Sequence, residues 1–247
     1  SVAARMAPVA LGTDAGSSIR GPSALCGLVG LKPTHGRVSL SGVCPNTLSF
    51  DHVGPLTRSV QDAALILQVI AGYDERDPFS RDVPVPDFAA RLGKDLKGMK
   101  LGLCPDLYSN AEVDNEISEV FDNSIDVFRE LGAEVKNLSF AYSDQFEEVF
   151  QVFMSAEFLE FHRPIYEKNS DGYGEIARKA VESRMGTESC DDLVRAQRKR
   201  ELLRREVLKL FDEVDVIVTP TLPCVAPPID TWKAVINGKE VDYTGAI

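Results

Sequence analysis

The 247-residue sequence has no Cys-x-x-Cys pair, no Gly-x-Ser-x-Gly elbow and no Ser-x-x-Lys. It also lacks a P-loop and a Gly-x-Gly-x-x-Gly run. Nucleotide and dinucleotide motifs are therefore missing, and no cofactor is expected. The five cysteines, at 26, 44, 104, 190 and 224, are odd in number and scattered. That excludes a disulfide framework or a local zinc site, and we read them as small core residues in a reducing compartment. Only three histidines occur, His35, His52 and His162, widely spaced. Such isolated histidines are expected to be surface or hydrogen-bonded residues rather than metal ligands, so no metal site is expected. No apolar run is long enough to cross a bilayer and no basic leader opens the chain, which predicts a cytoplasmic protein without a membrane partner. Basic residues are outnumbered 27 to 38, for a net charge of -11. This argues against direct nucleic-acid binding, which needs clustered Lys and Arg.

What is present is unevenly placed. Residues 1–72 hold five basic residues (Arg5, Arg20, Lys32, Arg37, Arg58) and three acidic ones (Asp14, Asp51, Asp62), so the negative charge falls on the remainder. Poor in charge and rich in Gly, Ser, Thr and Pro, this front third reads as interior backbone lining a site. Its apolar run "APVALGT" suits a buried strand, and "GSSIRGPSALCG" suits a helix start with Ser17 or Ser18 at the N-cap and Pro22 in the first turn. From Leu28 to about Gly54, short strands and loops are expected. "SVQDAALILQVIAG" predicts a helix with a Ser-x-x-Asp cap that stops at Gly72.

Further on, "MKLGLC" (99–104) and "AEVKNL" (133–138) read as strands around a helix from Val113 to Leu131, with Ile117, Phe121, Ile125 and Phe128 on one face. That order implies a right-handed crossover and a largely parallel sheet. Residues 144–212 are expected to be mostly helical. In "DDLVRAQRKRELLRREVLKLF", Leu193, Leu202, Leu203, Val207 and Leu210 should face inward, leaving the basic run on a solvated face. "VDVIVTPTLPCVAPP" reads as a buried strand ending in a proline-rich loop, after which the chain ends in mid-pattern at "DYTGAI".

The stretch "GTDAGSSIRGPSALCGLVGLKPTHGR" (12–37) carries the chemistry. A turn of small residues between strand and helix exposes successive backbone N–H groups, which can converge on the oxygen of a tetrahedral intermediate beside Ser18. Such a serine needs a base, and without a suitable histidine that base would be a lysine or a second serine. On the residues alone, a plain turn with a serine helix cap is the stronger reading and acyl chemistry the other.

The same stretch resembles the core of the amidase signature family, which reads Gly-Thr-Asp-x-Gly-Gly-Ser-Ile-Arg-x-Pro followed by Gly-Leu-Lys-Pro-Thr. "SFDHVGPLTRSVQDAALILQVIAGYDERDP", "LKGMKLGLCPD" and "DVIVTPTLP" resemble later segments of that family, the last near its substrate cleft. The resemblance implies an α/β amidase signature fold, a large twisted mixed sheet covered by helices on both faces. It makes 1–247 one domain, incomplete at both ends, with 1–72 as the nucleophile and oxyanion segment and 73–247 as the helical and βαβ remainder. Ser18 matches the nucleophile, and the backbone N–H groups of Ala15, Gly16, Ser17 and Ser18 match the oxyanion hole. Ser17 stands where the family has its second glycine. Asp14 and Arg20 match scaffold positions.

The resemblance implies that Lys32 is not the family's catalytic lysine, that this lysine and a cis-serine would lie upstream of residue 1, and that residues 1–247 alone would be catalytically silent. The implied function is hydrolysis of a small-molecule carboxamide through a serine acyl-enzyme, without a cofactor. Two alternatives remain: the glutamine-hydrolysing component of a tRNA-dependent amidotransferase, with partner subunits, and an inactive fragment or structural module of the fold. A homodimer is the other assembly considered.

Overall fold

The apolar run near the N-terminus forms β1 (Ala10–Thr13), which pairs antiparallel with β3 (Val53–Thr57), Gly12 opposite Gly54 and Thr13 opposite Val53. The short β2 (Val29–Gly30) pairs on the other side of β3, giving the order β1-β3-β2. Helix α1 (Arg20–Leu25) lies between β1 and β2 in the chain. It approaches β2 so closely that a Cβ on Gly30 would stand 2.4 Å from Ser23 Oγ and 2.7 Å from Ile19 O. A glycine is required there, and the contact fixes the start of α1 against the sheet. The structure is a computed structural model that describes residues 1–90, 92–108, 112–187 and 189–243. Residues 244–247, where the sequence ends in mid-pattern, lie outside the described residues.

Helix α2 (Val60–Ile70) begins as its cap predicts, with Ser59 Oγ accepting from Asp62 N at 3.1 Å, and buries Ala63, Ala64 and Leu67. The strand–helix–strand unit is β4 (Lys100–Leu103), α3 (Asn115–Glu130) and β5 (Glu134–Asn137), and β4 pairs parallel with both β5 and β6 (Val216–Val218). Ile125 of α3 is buried, with Ile117, Phe121 and Phe128 half-buried on the same face. Helices α4 (Phe146–Lys168), α5 (Glu175–Glu182) and α6 (Cys190–Leu210) follow. The main core lies between the parallel strands and the α4–α6 pair, where Cys104, Leu138, Phe153, Leu203, Leu210 and Val214 pack together. A hairpin of β7 (Lys233–Ile236) and β8 (Lys239–Asp242) turns at Asn237 and Gly238, both at positive φ. The architecture is α/β, as expected. Among the described residues the strands pair as one antiparallel and one parallel group of three, plus this hairpin.

Side-chain bonds tie the front of the chain to the helices. Glu157 of α4 accepts from Ser49 N at 2.8 Å, Thr47 Oγ1 donates to Met154 Sδ at 2.9 Å, and Arg200 of α6 donates to Ser49 O at 3.0 Å. Two expectations need correction. Cys104 and Cys224 are buried, but Cys26, Cys44 and Cys190 are exposed, because they sit at a helix end, in a loop and in the first turn of α6. The front third is not uniformly interior, since Met6, Leu11, Val60, Leu65 and Val69 are exposed. Low charge there reflects apolar residues on more than one face of β1 and α2. No helix among the described residues is long and apolar enough to cross a membrane.

The close approach at Gly30 makes a testable contrast. Gly30→Ala forces β2 and α1 apart and should cost about 1–3 kcal/mol in urea unfolding. Gly174→Ala, at φ -63 with open space around its added Cβ, should cost less, under about 1 kcal/mol, all of it from the weaker N-cap of α5. Equal effects would mean that the α1–β2 contact is looser than described.

Candidate active site

Asp14 follows the last residue of β1 and extends its ladder by one more pair, with Asp14 N donating to His52 O at 2.9 Å and His52 N donating to Asp14 O at 3.1 Å. The chain then leaves the sheet as the loop Ala15–Ser18. The Asp14 carboxylate is fully buried and turns back to hold this loop. It accepts from Ile19 N at 3.1 Å and Arg20 N at 3.3 Å, which makes it the cap of α1. The expectation of a serine cap is therefore corrected: Ile19 occupies the N-cap position and no N-cap side chain bonds the helix, because Asp14 already takes those N–H groups.

Two cations meet the same carboxylate. Arg20 grips it with two bonds of 3.0 Å, and Lys32 Nζ reaches Asp14 Oδ1 at 3.0 Å. Burial alone would raise the Asp14 pKa, but the hydrogen bonds from Arg20 and Lys32 and the charge of Lys32 outweigh it and hold the carboxyl well below the usual range. Burial lowers that of Lys32, with Asp14 offsetting part of the shift. The same cations also bond the loop backbone. Lys32 Nζ donates to Ala15 O at 2.9 Å and Arg20 Nη2 donates to Gly16 O at 2.9 Å, while Gly21 N donates to Ser17 O at 2.7 Å.

These carbonyl bonds fix where the amides point. In a trans peptide the N–H lies opposite the preceding C=O. With the carbonyls of Ala15, Gly16 and Ser17 turned to Lys32, Arg20 and α1, the N–H groups of Gly16, Ser17 and Ser18 face away from those anchors. The carbonyl of Asp14, bonded to His52, orients the N–H of Ala15 in the same way. Among the described residues, none of these four N–H groups donates to another backbone group.

The loop forms one wall of a cleft of about 1020 Å³. Phe150 of α4 also lines it and packs against the loop, its Cζ 3.0 Å from where a Cβ on Gly16 would stand. The Thr219–Pro223 segment after β6 lines the same cleft, as the resemblance implied. Ser18 is exposed at this wall, whereas Ser17 is half-buried and its Oγ packs against α1, 2.8 Å from where a Cβ on Gly21 would stand. The structure thus brings all six site residues from Asp14 to Arg20 together, and adds Lys32, Phe50, Phe150 and Arg200. Lys32 had no role in the sequence reading, because nothing local links it to a carboxylate 18 residues away. His35, His52 and His162 each bond a backbone carbonyl, at 3.0, 2.6 and 3.2 Å. Burial lowers the pKa of His52. Among the described residues no group of His, Cys, Asp and Glu could hold a metal ion.

This α/β scaffold presents a serine and a loop of backbone N–H groups without backbone acceptors at a cleft. Known proteins place this arrangement in a family. The sequence profile of the amidase family matches residues 1–245. A glutamyl-tRNA(Gln) amidotransferase subunit of Geobacter sp. strain M21 is 39% identical over 251 residues, covering 91% of this chain and 51% of that protein. An amidase of Pseudomonas putida is 39% identical over 237 residues, covering 94% and 50%. The crystal structure of a bacterial aryl acylamidase of the amidase signature family superposes with a TM-score of 0.80 at 29% identity, covering 98% of this chain and 52% of that one. The chain belongs to the amidase family, the amidase signature enzymes. It spans about half the length of the curated relatives it matches.

Removing Asp14 should be far more damaging than removing one of its partners. Asp14→Ala leaves Lys32 without its buried counter-charge and should lose about 3–5 kcal/mol in urea unfolding. Lys32→Met leaves Asp14 paired to Arg20 and should lose about 1–3 kcal/mol. Because the folded-state pKa of Asp14 is depressed, its contribution is present above its unfolded pKa of about 4 and is lost as pH falls below that. An Asp14→Asn variant should therefore show a flatter acid limb of stability than the wild type. An unchanged limb would contradict the pairing.

Proposed function

We propose that the complete protein hydrolyses a carboxamide through an acyl-enzyme on Ser18. The observation that supports this reading is the anchored loop: its carbonyls are taken by Lys32, Arg20 and α1, its four N–H groups donate to no backbone group, and the loop with Ser18 lines the cleft. In this account Ser18 Oγ attacks the amide carbon, and the former carbonyl oxygen takes up negative charge beside the N–H groups of Ala15, Gly16, Ser17 and Ser18. Asp14 and Arg20 act as positioning residues, and we add Lys32 to them. Losing one such oxyanion donor typically costs about a hundred- to a thousandfold in turnover. The proton of Ser18 passes to the lysine and cis-serine that the family resemblance implies, and then to the departing ammonia or amine. Water next attacks the ester and releases the acid.

The second reading is an amidotransferase component that releases ammonia from glutamine for partner subunits. It is supported by the 39% identity to the amidotransferase subunit of Geobacter, a figure the Pseudomonas putida amidase equals. Co-purification with a second subunit, together with glutaminase activity, would support it.

The direct test is covalent labelling of the complete protein with a fluorophosphonate. Peptide mapping is expected to place the adduct on Ser18, and Ser18→Ala should abolish both label and amide turnover. An adduct on Ser17, or undiminished labelling of Ser18→Ala, would overturn the assignment.

A further inference from the structure

A second buried carboxylate, Asp51, precedes His52, the ladder partner of Asp14. It is 4% exposed, and its Oδ2 accepts from Asn46 N and Thr47 N at 2.9 Å each. Its own N–H and that of Phe50 donate to Thr47 O at 2.7 and 2.8 Å, so side chain and backbone together close the 46–51 turn. The chain leaves this turn as His52, which exchanges its two backbone bonds with Asp14. The place of Asp14 in the ladder therefore depends on the turn that Asp51 closes.

Those bonds do not require a charge. The side-chain oxygen of an asparagine also accepts N–H bonds, and a neutral amide costs far less to bury than a carboxylate. Among the described residues Asp51 forms no ion pair that would offset this cost, since Lys32 bonds Asp14 instead. Its charge nevertheless acts on Lys32. Burial lowers the Lys32 pKa, the hydrogen bond and charge of Asp14 raise it, Arg20 lowers it again, and the charge of Asp51 raises it. His52, whose own pKa burial lowers, is neutral in the alkaline range and adds no charge there. Lys32 needs its charge, because it holds Asp14 Oδ1 and Ala15 O together.

We propose that Asp51 is a further positioning residue for the reaction: through His52 it places Asp14, and it supplies the second negative charge with which Lys32 holds the carbonyl of Ala15. Asp51 is not among the residues that line the cleft, so it acts only through these two neighbours. The inference rests on Ser18 being the acylated residue and extends the clamp on its loop. It also gives the charge of Asp51 a purpose that the turn alone does not.

The test compares the complete protein with its Asp51→Asn variant, which keeps an acceptor oxygen for the turn and removes the charge. The rate of fluorophosphonate labelling at Ser18 is followed through the alkaline range. In the wild type it should fall where Lys32 loses its proton, and in Asp51→Asn that fall should come at lower pH. Lys32→Met should lack the fall, and adding Asp51→Asn to it should move nothing. A merely structural role would lower the rate alike at every pH. Competitive trace acetylation with acetic anhydride, mapped by peptide, reads the titration of Lys32 without any reaction at Ser18. That titration should also move to lower pH in Asp51→Asn. If Asp51→Asn does not fold, Asp51→Glu decides: it keeps the charge and should keep the wild-type alkaline limb, and a limb displaced to lower pH would overturn the inference. An unmoved Lys32 titration in Asp51→Asn, or an alkaline fall that survives in Lys32→Met, would overturn it as well. Failure of Ser18 to label while the Lys32 titration still moves would instead remove the acyl-enzyme reading, and with it the role of Asp51 in the reaction.

Discussion

The buried carboxylate of Asp14 is the interaction on which the rest of the site depends. One side chain ends β1, caps α1 and collects Arg20 and Lys32. A buried charge of this kind is tolerated only when it is paired and hydrogen-bonded, and here every bond it makes also fixes a neighbouring part of the chain. The cations it gathers then bond the carbonyls of Ala15 and Gly16. The ion pairs matter less as a source of stability than as a clamp on peptide orientation. A loop of small residues has little packing of its own, so without that clamp its amides would have no fixed direction.

The sheet supplies the second constraint. β2 and β3 hold α1 through the contact at Gly30, and β3 holds Asp14 through its bonds with His52. Strand, loop and helix therefore meet at one point, with α4 and α6 lining the same cleft through Phe150 and Arg200. Glu157, Met154 and Arg200 tie those helices to the 47–49 turn, which keeps the two walls in register.

Much of this was legible in the sequence. The periodicity of α2, α3 and α6 is carried by local spacing, and Ser59 acts as the cap its position suggested. The candidate site residues from Asp14 to Ser18 were singled out through family resemblance, whereas their residue types alone favoured a plain serine-capped turn. That cap reading failed because a carboxylate placed shortly before the helix competes better for its first N–H groups than a serine does. Lys32 and Phe150 were not legible, since their partners lie far along the chain. Helix α4 carries apolar residues around its circumference, with Phe153 in the core and Phe150 in the cleft, so no pattern separates the packing residue from the lining one.

The central claim is that the Asp14 clamp aims the amides of the 15–18 loop at a developing oxyanion. The most direct measurement is a crystal structure of the complete protein carrying a phosphonyl adduct on Ser18. The account predicts a phosphonyl oxygen about 2.7–3.1 Å from backbone nitrogens of this loop, the range such donors occupy. It also predicts that the carbonyls of Ala15 and Gly16 remain on Lys32 and Arg20. A phosphonyl oxygen held by side chains or turned to solvent, with those carbonyls released, would contradict it.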